Sequence, residues 1–302
     1  MRVVTSGHLL MTTWLLWLQA WREAGAQMVC PENESRCEVS VDRRDILLKC
    51  TGYGTLAQLP SACTDTRIIA ILIIGQGTTV SRLQHRILEG LQMRKLQLAG
   101  LGIVSVSVSA FEAISSQLEF LHLQDNHIES LPLGVFRTLF NLRELELHNN
   151  RLTQLTDGMF TGLTNLHYLT LNKNRISAVD SNTWRALPSL VTLVLDDNLL
   201  SEGGLVFPNG TLNDLQELRV ERNRLGAITD DIISGLPSLR RLYFRSNGVE
   251  SLPGNVFLNS SVGVLELIDL SANNITQLNL ASFNGKCTIQ IHSSALIDRK
   301  TN

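Results

Sequence analysis

Leucine and other apolar residues recur along this chain of 302 residues at a regular interval. After the leucine that opens each unit, apolar residues stand at the fourth and sixth places and an asparagine at the ninth. Successive openings lie 24 to 26 residues apart, at Leu118, Leu142, Leu166, Leu190, Leu215, Leu239 and Leu265. A period of this length indicates a repeat protein, in which each unit buries its apolar side against its neighbours.

Each unit predicts one short strand whose alternate side chains face the core, followed by a turn at the asparagine. An asparagine amide offers one acceptor and two donors, so it can satisfy backbone groups that a turning chain leaves unpaired. We therefore expect a stacked ladder of Asn126, Asn150, Asn174, Asn198, Asn223, Asn247 and Asn273. Two degenerate units open at Ile68 and Met93, which makes about nine repeats over residues 67–286.

Large side chains share a second phase, eighteen residues after the unit openings. They are Phe111, Phe136, Phe160, Trp184, Ile233, Phe257 and Phe283, and Phe207 falls one place early. A common phase predicts a stacked spine on the side opposite the strands, within turns or short helices.

Residues 27–66 do not follow the repeat, and we interpret them as a cap that covers the apolar end of the solenoid. Residues 39–41 and 46–48 predict a β-hairpin within it. Its cysteines suit two disulfides with three possible pairings: Cys30, Cys37, Cys50 and Cys63. A zinc site is less favoured, because the segment has no Cys-x-x-Cys pair and no nearby histidine. Cys287 opens a short C-terminal tail, residues 287–302.

The N-terminal residues 1–26 have the pattern of a secretory signal. Their apolar run, residues 9–18, is too short for a membrane span, and Ala24 and Ala26 form a small-x-small cleavage site. An amphipathic helix is less favoured, because the charges do not segregate to one face. We expect an extracellular protein without a membrane anchor. Four sequons are candidate glycosylation sites: Asn33, Asn209, Asn259 and Asn274.

Charge and motifs disfavour nucleic-acid binding and catalysis. The chain has 26 basic and 28 acidic residues, a formal net charge of −2, which gives no support to a polyanion binder. A dinucleotide loop after the first apolar strand is disfavoured, because Val80 stands where a third glycine is needed. No nucleophile with an adjacent base can be assigned, so we predict no enzyme activity and no cofactor.

The leucine and asparagine pattern, the phenylalanine spine and the cysteine-rich flank resemble those of secreted leucine-rich repeat proteins. This group includes Toll ectodomains, Slit, small leucine-rich proteoglycans and the non-catalytic subunit of shrimp luciferin monooxygenase. The resemblance implies an α/β fold, a curved right-handed solenoid with a parallel concave sheet and a disulfide-bonded N-terminal cap, which binds proteins along that sheet. The chain departs from the family at Val39, where a second cysteine of Cys-x-Cys is usual, and in keeping only Cys287 of a C-terminal cysteine cap.

Candidate partner-binding residues stand at the strand positions that should face away from the core. Aromatic residues and arginine are enriched at protein interfaces. The candidates are Phe120, His122, Glu144, Glu146, Tyr168, Thr170, Arg219, Arg222, Arg241, Tyr243 and Arg245. Acidic residues occupy the middle of this surface and arginines its C-terminal third. The alternative is a mixed solvated surface, in which Glu217 and Glu221 neutralise the arginines.

Three residues on two adjacent predicted strands are also candidates for a metal or pH-sensing site. His122, Glu146 and His148 could converge across two adjacent strands, although surface residues without a common ligand are the favoured interpretation. We therefore predict no metal. The predicted function is a secreted glycoprotein that binds an extracellular protein or glycoprotein. The alternative is a structural matrix component or a non-catalytic subunit of a secreted enzyme complex.

Overall fold

The computed structural model describes residues 28–29, 36–42, 45–51, 68–74, 81–84, 93–114, 117–252, 257, 265–276 and 288–290. Most of its strands have two or three residues, and one strand of the main sheet falls in each repeat. The strands are β1 (Met28–Val29), β2 (Arg36–Asp42), β3 (Asp45–Thr51), β4 (Ile68–Ile74), β5 (Arg82–Leu83), β6 (Lys95–Gln97), β7 (Ser105–Val106), β8 (Phe120–His122), β9 (Glu144–Glu146), β10 (Gln154–Leu155), β11 (Tyr168–Thr170), β12 (Ala178–Val179), β13 (Thr192–Val194), β14 (Glu217–Arg219), β15 (Arg241–Tyr243), β16 (Leu267–Asp269) and β17 (Thr288–Gln290).

Thirteen of the described strands form one sheet, in the order β1-β2-β3-β4-β6-β8-β9-β11-β13-β14-β15-β16-β17. Strands β1 to β3 pair antiparallel, and from β3 onward every neighbour is parallel. In each three-residue strand of the repeats the middle residue, such as Leu145 or Leu169, is fully buried. The predicted solenoid with a parallel sheet is confirmed.

The opposite side of the solenoid consists of turns with little regular structure. Two small parallel sheets lie there, β5 with β7 and β10 with β12. Short 3-10 helices span Glu112–Ile114 and Ser181–Ala186, and the helix α1 spans Asp230–Ile233. The Asp180 side chain caps the second 3-10 helix by accepting a hydrogen bond from the Asn182 amide at 2.9 Å.

Most of the spine residues are buried, and two groups of their rings are in contact behind the sheet. The ring centroids of Phe111 and Phe136 lie 5.9 Å apart and those of Phe136 and Phe160 lie 6.5 Å apart, with nearly parallel planes. Phe207 still packs on Trp184, with centroids 5.2 Å apart, although it comes one place early in its repeat. Because strands repeat at about 4.8 Å, each repeat takes more length at the spine than at the sheet. This difference bends the stack and makes the sheet its concave side.

The seven asparagines that occupy the ninth place of the repeats lie in one buried row. Asn174 is typical: its Oδ1 accepts from the Leu152 amide at 3.0 Å, and its Nδ2 donates to Leu147 O at 3.0 Å and Leu171 O at 2.9 Å. Each amide thus joins the backbone of its own repeat to that of the preceding one. The same pattern recurs at Asn126, Asn150, Asn198, Asn223, Asn247 and Asn273.

The residue before each ladder asparagine has a left-handed backbone. These residues have φ angles between 52° and 59° and are Asp125, Asn149, Lys173, Asp197, Arg222, Ser246 and Ala272. This region is unfavourable for residues other than glycine. The repeated turn therefore imposes a backbone cost in every repeat, which the ladder hydrogen bonds and core packing offset.

The hairpin predicted near the N-terminus is present as β2 and β3, which pair from Arg36↔Thr51 to Asp42↔Asp45. Cys37 and Cys50 are direct partners in this antiparallel register. The remaining cysteines, Cys30, Cys63 and Cys287, lie outside the described residues, as do the predicted signal segment and Phe283.

Candidate interaction surface on the concave sheet

The concave face consists of the side chains that alternate with the buried core leucines of the strands. Because the strands are parallel and in register, equivalent positions form columns across the repeats. Tyr168, for example, pairs with Glu144 on one side and Thr192 on the other. The same geometry aligns Thr170 with Glu146 and Val194.

The candidate binding residues differ in exposure along this face. Tyr168, Arg222 and Arg245 are exposed, and Phe120, Glu144, Glu146, Arg219, Arg241 and Tyr243 are half-buried. His122 and Thr170 are only 6% and 5% exposed, so each offers little surface to a partner, and their part in binding stays a prediction. Side chains of the adjacent repeats cover them: the His122 ring lies against two glutamates, and His148 is hydrogen-bonded to Thr170 at 3.2 Å.

A pocket of about 460 Å³ lies in the middle of the concave face. It is lined by Glu146, His148, Tyr168, Thr170, Asn172, Thr192, Val194, Asp196, Glu217 and Arg219. We call it the central pocket. Its acidic side chains outnumber its single arginine by three to one. Several lining residues stand at the third, fifth and seventh places of the repeats but were not selected from the sequence, because only the alignment of neighbouring repeats shows that they line one open pocket.

Tyr168 is the exposed aromatic residue of the central pocket, with 36% of its surface accessible. Burial of its remaining surface raises the pKa of Tyr168, and the nearby carboxylates of Glu146, Glu144 and Glu217 raise it further. Arg219 acts in the opposite direction on this pKa. The ring therefore lies in a predominantly negative environment.

Carboxylates of the same and of the preceding repeat contact Arg219, and a carboxylate of the preceding repeat contacts Arg241. Arg219 contacts Asp196 at 3.2 Å and Glu221 at 3.1 Å, and its guanidinium carbon lies 4.4 Å from the centroid of the Tyr243 ring. Burial alone would lower the pKa of Arg219, but these carboxylates outweigh it and raise the pKa. Arg241 contacts Glu217 at 2.8 Å. These contacts match the alternative in which glutamates neutralise the arginines.

Adjacent aspartates in this network have opposite shifts in pKa. Burial raises the pKa of Asp196, whose side chain accepts from the Glu221 amide at 2.6 Å. The bidentate hydrogen bonds from Arg222, at 2.6 and 2.8 Å, lower the pKa of the more exposed Asp197. Arg245 is exposed and forms no ion pair with residues in the described part of the chain.

The less favoured cluster of His122, Glu146 and His148 on neighbouring strands is not formed as such, and Glu144 stands in the place of His148. His122 contacts Glu144 through Nε2 at 2.8 Å and Glu146 through Nδ1 at 3.6 Å. Burial raises the pKa of Glu146. His148 does not join them, since its ring contacts Thr170, and burial lowers the pKa of His148. Glu144 takes its place, because residues two apart on a strand share a face.

Two of the four sequons lie within the described residues. Asn209 is exposed in a turn before Gly210, and Asn274 is exposed directly after the ladder residue Asn273. Asn33 and Asn259 lie outside the described residues.

Comparison with known proteins identifies the repeats. Residues 92–152 and 140–200 match the family described as leucine rich repeat. A segment of 70 residues is 40% identical to leucine-rich repeat-containing protein 3B of Danio rerio and covers 23% of this chain. The chain spans 27% of the length of that curated relative.

Residues 92–200 are therefore leucine-rich repeats, and the solenoid that continues them on both sides is a leucine-rich repeat fold. Within the described ranges, no helix combines the length and apolar character that crossing a membrane would require.

Proposed function

We propose that the protein is a secreted leucine-rich repeat glycoprotein that binds an extracellular protein or glycoprotein through its concave face. Leucine-rich repeat domains generally bind proteins. The observation that carries the proposal is the central pocket, in which exposed Tyr168 stands among acidic side chains. Aromatic side chains in pockets are typical energetic centres of protein interfaces.

The charge of the central pocket favours a basic partner surface. Glu146, Asp196 and Glu217 line the pocket. Asp196 is paired with Arg219 and Glu217 with Arg241, which leaves Glu146 as the carboxylate that no arginine of the described residues balances. A lysine or arginine of the partner would meet complementary charge there, and it could stack over the Tyr168 ring. An acidic partner would face repulsion at the same place.

Binding studies with the full chain test this proposal. A partner isolated on immobilised protein from an extracellular protein pool should bind Tyr168→Ala about 30-fold more weakly, since interface anchors contribute about 2 kcal/mol. Phe140→Ala is the matched control, because Phe140 is an exposed aromatic in the turn before β9, outside the concave face. Unchanged affinity for Tyr168→Ala, with weaker binding for Phe140→Ala, would contradict the proposed surface.

The salt dependence of the complex separates the two functional candidates. Recognition through a charged pocket predicts an association that slows as ionic strength rises. A stoichiometric complex that resists salt would instead favour the role of a structural component or non-catalytic subunit.

The proposal includes secretion, glycosylation and disulfide bonds in the N-terminal cap. Exposure of Asn209 and Asn274 supports glycosylation at these sequons. The register of β2 and β3 supports the pairing of Cys37 with Cys50, since opposed residues on antiparallel strands are close enough for a disulfide. Cys30 would then pair with Cys63.

Mass spectrometry of the secreted, non-reduced protein tests these modifications. It should find a chain that starts at residue 27, glycans on Asn209 and Asn274, and a disulfide-linked peptide that contains Cys37 and Cys50. A free Cys37 or an unmodified Asn209 would contradict this part.

A further inference from the structure

Three metal-ligating side chains converge on two adjacent strands at the N-terminal side of the central pocket. His122 and Glu146 are register partners on β8 and β9, and Glu144 lies two residues before Glu146 on the same face. His122 Nε2 lies 2.8 Å from Glu144 Oε1, and His122 Nδ1 lies 3.6 Å from Glu146 Oε2. One donor atom from each of the three residues lies within 4.8 Å of the other two.

The cluster combines a rigid member with two adjustable members. The His122 side chain is 7% exposed, so its ring is fixed by packing. The side chains of Glu144 and Glu146 are 28% and 19% exposed and can rotate toward a common centre. The exposed side of the cluster is the one that faces the concave surface.

The charges of the cluster suit a divalent cation. Glu144 and Glu146 offer two carboxylates, whose combined formal charge one divalent ion would balance. Burial of like charges close together is costly without a counterion.

A buried acceptor two residues after His122 has no hydrogen-bond partner among the described residues. Gln124 lies two residues after His122, and the backbone pairing with the next repeat continues past it, from the Leu123 amide to Glu146 O and from the Asp125 amide to His148 O. The Gln124 side chain is therefore on the same face as His122. Gln124 is 9% exposed, and its Oε1 has no hydrogen-bond partner among the described residues. A water molecule bound to a metal ion is a donor that could satisfy such an acceptor.

We propose that His122, Glu144 and Glu146 bind a divalent transition-metal ion of the zinc type, with its remaining coordination positions open to the concave surface. Zinc accepts imidazole nitrogen at about 2.0 to 2.1 Å and carboxylate oxygen at about 2.0 to 2.2 Å. An imidazole ligand favours zinc and related ions over calcium and magnesium, which prefer oxygen ligands alone. This proposal departs from the prediction of no metal made from the sequence, and it does not depend on the proposed protein partner.

Titration calorimetry of the chelator-treated, oxidised full chain with ZnCl₂ tests the site. We expect one ion per chain and no comparable binding of CaCl₂. His122→Ala and Glu144→Gln should each weaken zinc binding at least about tenfold, since even an indirect partner of a metal ligand contributes that much. His148→Ala is the matched control, because this histidine lies on the same face but contacts Thr170. It should bind zinc as the wild type does.

Thermal unfolding with and without ZnCl₂ provides a second measurement and verifies that each variant folds. Zinc should raise the melting temperature of the wild type and of His148→Ala, but have little effect on Glu144→Gln. Three results would overturn the site: no stoichiometric zinc binding, zinc binding that survives in both His122→Ala and Glu144→Gln, or loss of binding in His148→Ala alone. If the Tyr168→Ala experiment contradicted the proposed partner-binding surface, the zinc measurements would still test the metal site independently.

Discussion

Arg219 lies over the face of Tyr243, with its guanidinium carbon 4.4 Å from the ring centroid. The same guanidinium reaches back to Asp196 in the preceding repeat at 3.2 Å. Asp196 is 5% exposed, so the arginine balances a carboxylate that water hardly reaches. Arg219 is therefore part of the framework of the concave face as well as part of its surface.

Replacing Arg219 by alanine should lower the free energy of unfolding by about 2 kcal/mol, because a buried carboxylate loses its charged partner. Arg241→Ala is the control: the Arg241 side chain is 40% exposed, more than that of Arg219, and within the described residues it forms an ion pair only with Glu217. Its loss should be less than about 1 kcal/mol, as for surface ion pairs. Urea denaturation measures both values, and equal losses would contradict the structural role of Arg219.

The fold could be predicted from the sequence because every repeat has the same residue types at the positions that determine the fold. The buried leucines and the ladder asparagines have the same environment in every repeat, so their side chains have one phase from Leu118 to Asn273. Even Phe207, which is out of phase by one residue, packs on Trp184.

The surface was harder to predict, because the environment of each side chain depends on the neighbouring repeats. His122 and Thr170 occupy exposed positions by pattern. The glutamates of the following repeat bury His122, and His148 of the preceding repeat covers Thr170. The sequence does contain one signal for these contacts: residues of opposite charge that stand one repeat length apart are placed side by side on adjacent strands or turns. Such pairs include Arg94 with Glu119, Asp197 with Arg222 and Glu217 with Arg241.

The left-handed turns were not predicted, because the residues that adopt them share no chemical type. Asp125 and Asn149 are residue types that tolerate this backbone, whereas Lys173 and Ala272 are not. Their conformation follows from the turn that the buried asparagine imposes on the residue before it.

Asn174→Ala should lower the free energy of unfolding by about 1 to 3 kcal/mol, since it strands buried backbone groups of two repeats. The groups are the Leu152 amide and the carbonyls of Leu147 and Leu171. Asn172→Ala is the control, because Asn172 is half-buried in the central pocket and its side chain forms no hydrogen bond with the described residues. Its effect should stay within about 0.5 kcal/mol. A similar loss in the two variants, measured by denaturation, would mean that the ladder is not a stabilising element.

Ala272→Gly should raise the free energy of unfolding by about 0.5 to 1 kcal/mol. Ala272 is exposed and has φ of 54°, a conformation that glycine adopts without steric cost. The gain exceeds the entropy that glycine adds to the unfolded chain. The matched control is Ala178→Gly, at an exposed strand position that lacks a positive φ. That variant should be less stable by about 0.5 to 1 kcal/mol. Thermal unfolding compares the two, and destabilisation by both would contradict the strain at Ala272.

The pH dependence of stability should differ in sign between two adjacent aspartates. Arg222 lowers the pKa of Asp197 in the folded protein below the ordinary value of 3.8. The contribution of Asp197 is therefore complete above this value and is lost as the pH falls through the folded pKa. Burial raises the pKa of Asp196, so its contribution is present at low pH and is lost as the pH rises through its folded pKa.

Two variants separate these effects. Compared with the wild type, Asp197→Asn should be less stable at pH 7 by about 0.5 to 1 kcal/mol, the value of a well-formed surface ion pair, and the difference should shrink toward pH 2. Asp196→Asn should follow the opposite trend, with the wild type losing stability relative to the variant as the pH rises from 3 to 7. Denaturation in buffers across this range measures both differences. The raised pKa of Asp196 requires a buried carboxyl group, and the lowered pKa of Asp197 requires the bidentate contact with Arg222. If stability changed with pH in the same direction in both variants, the two carboxylates would not have these opposite environments.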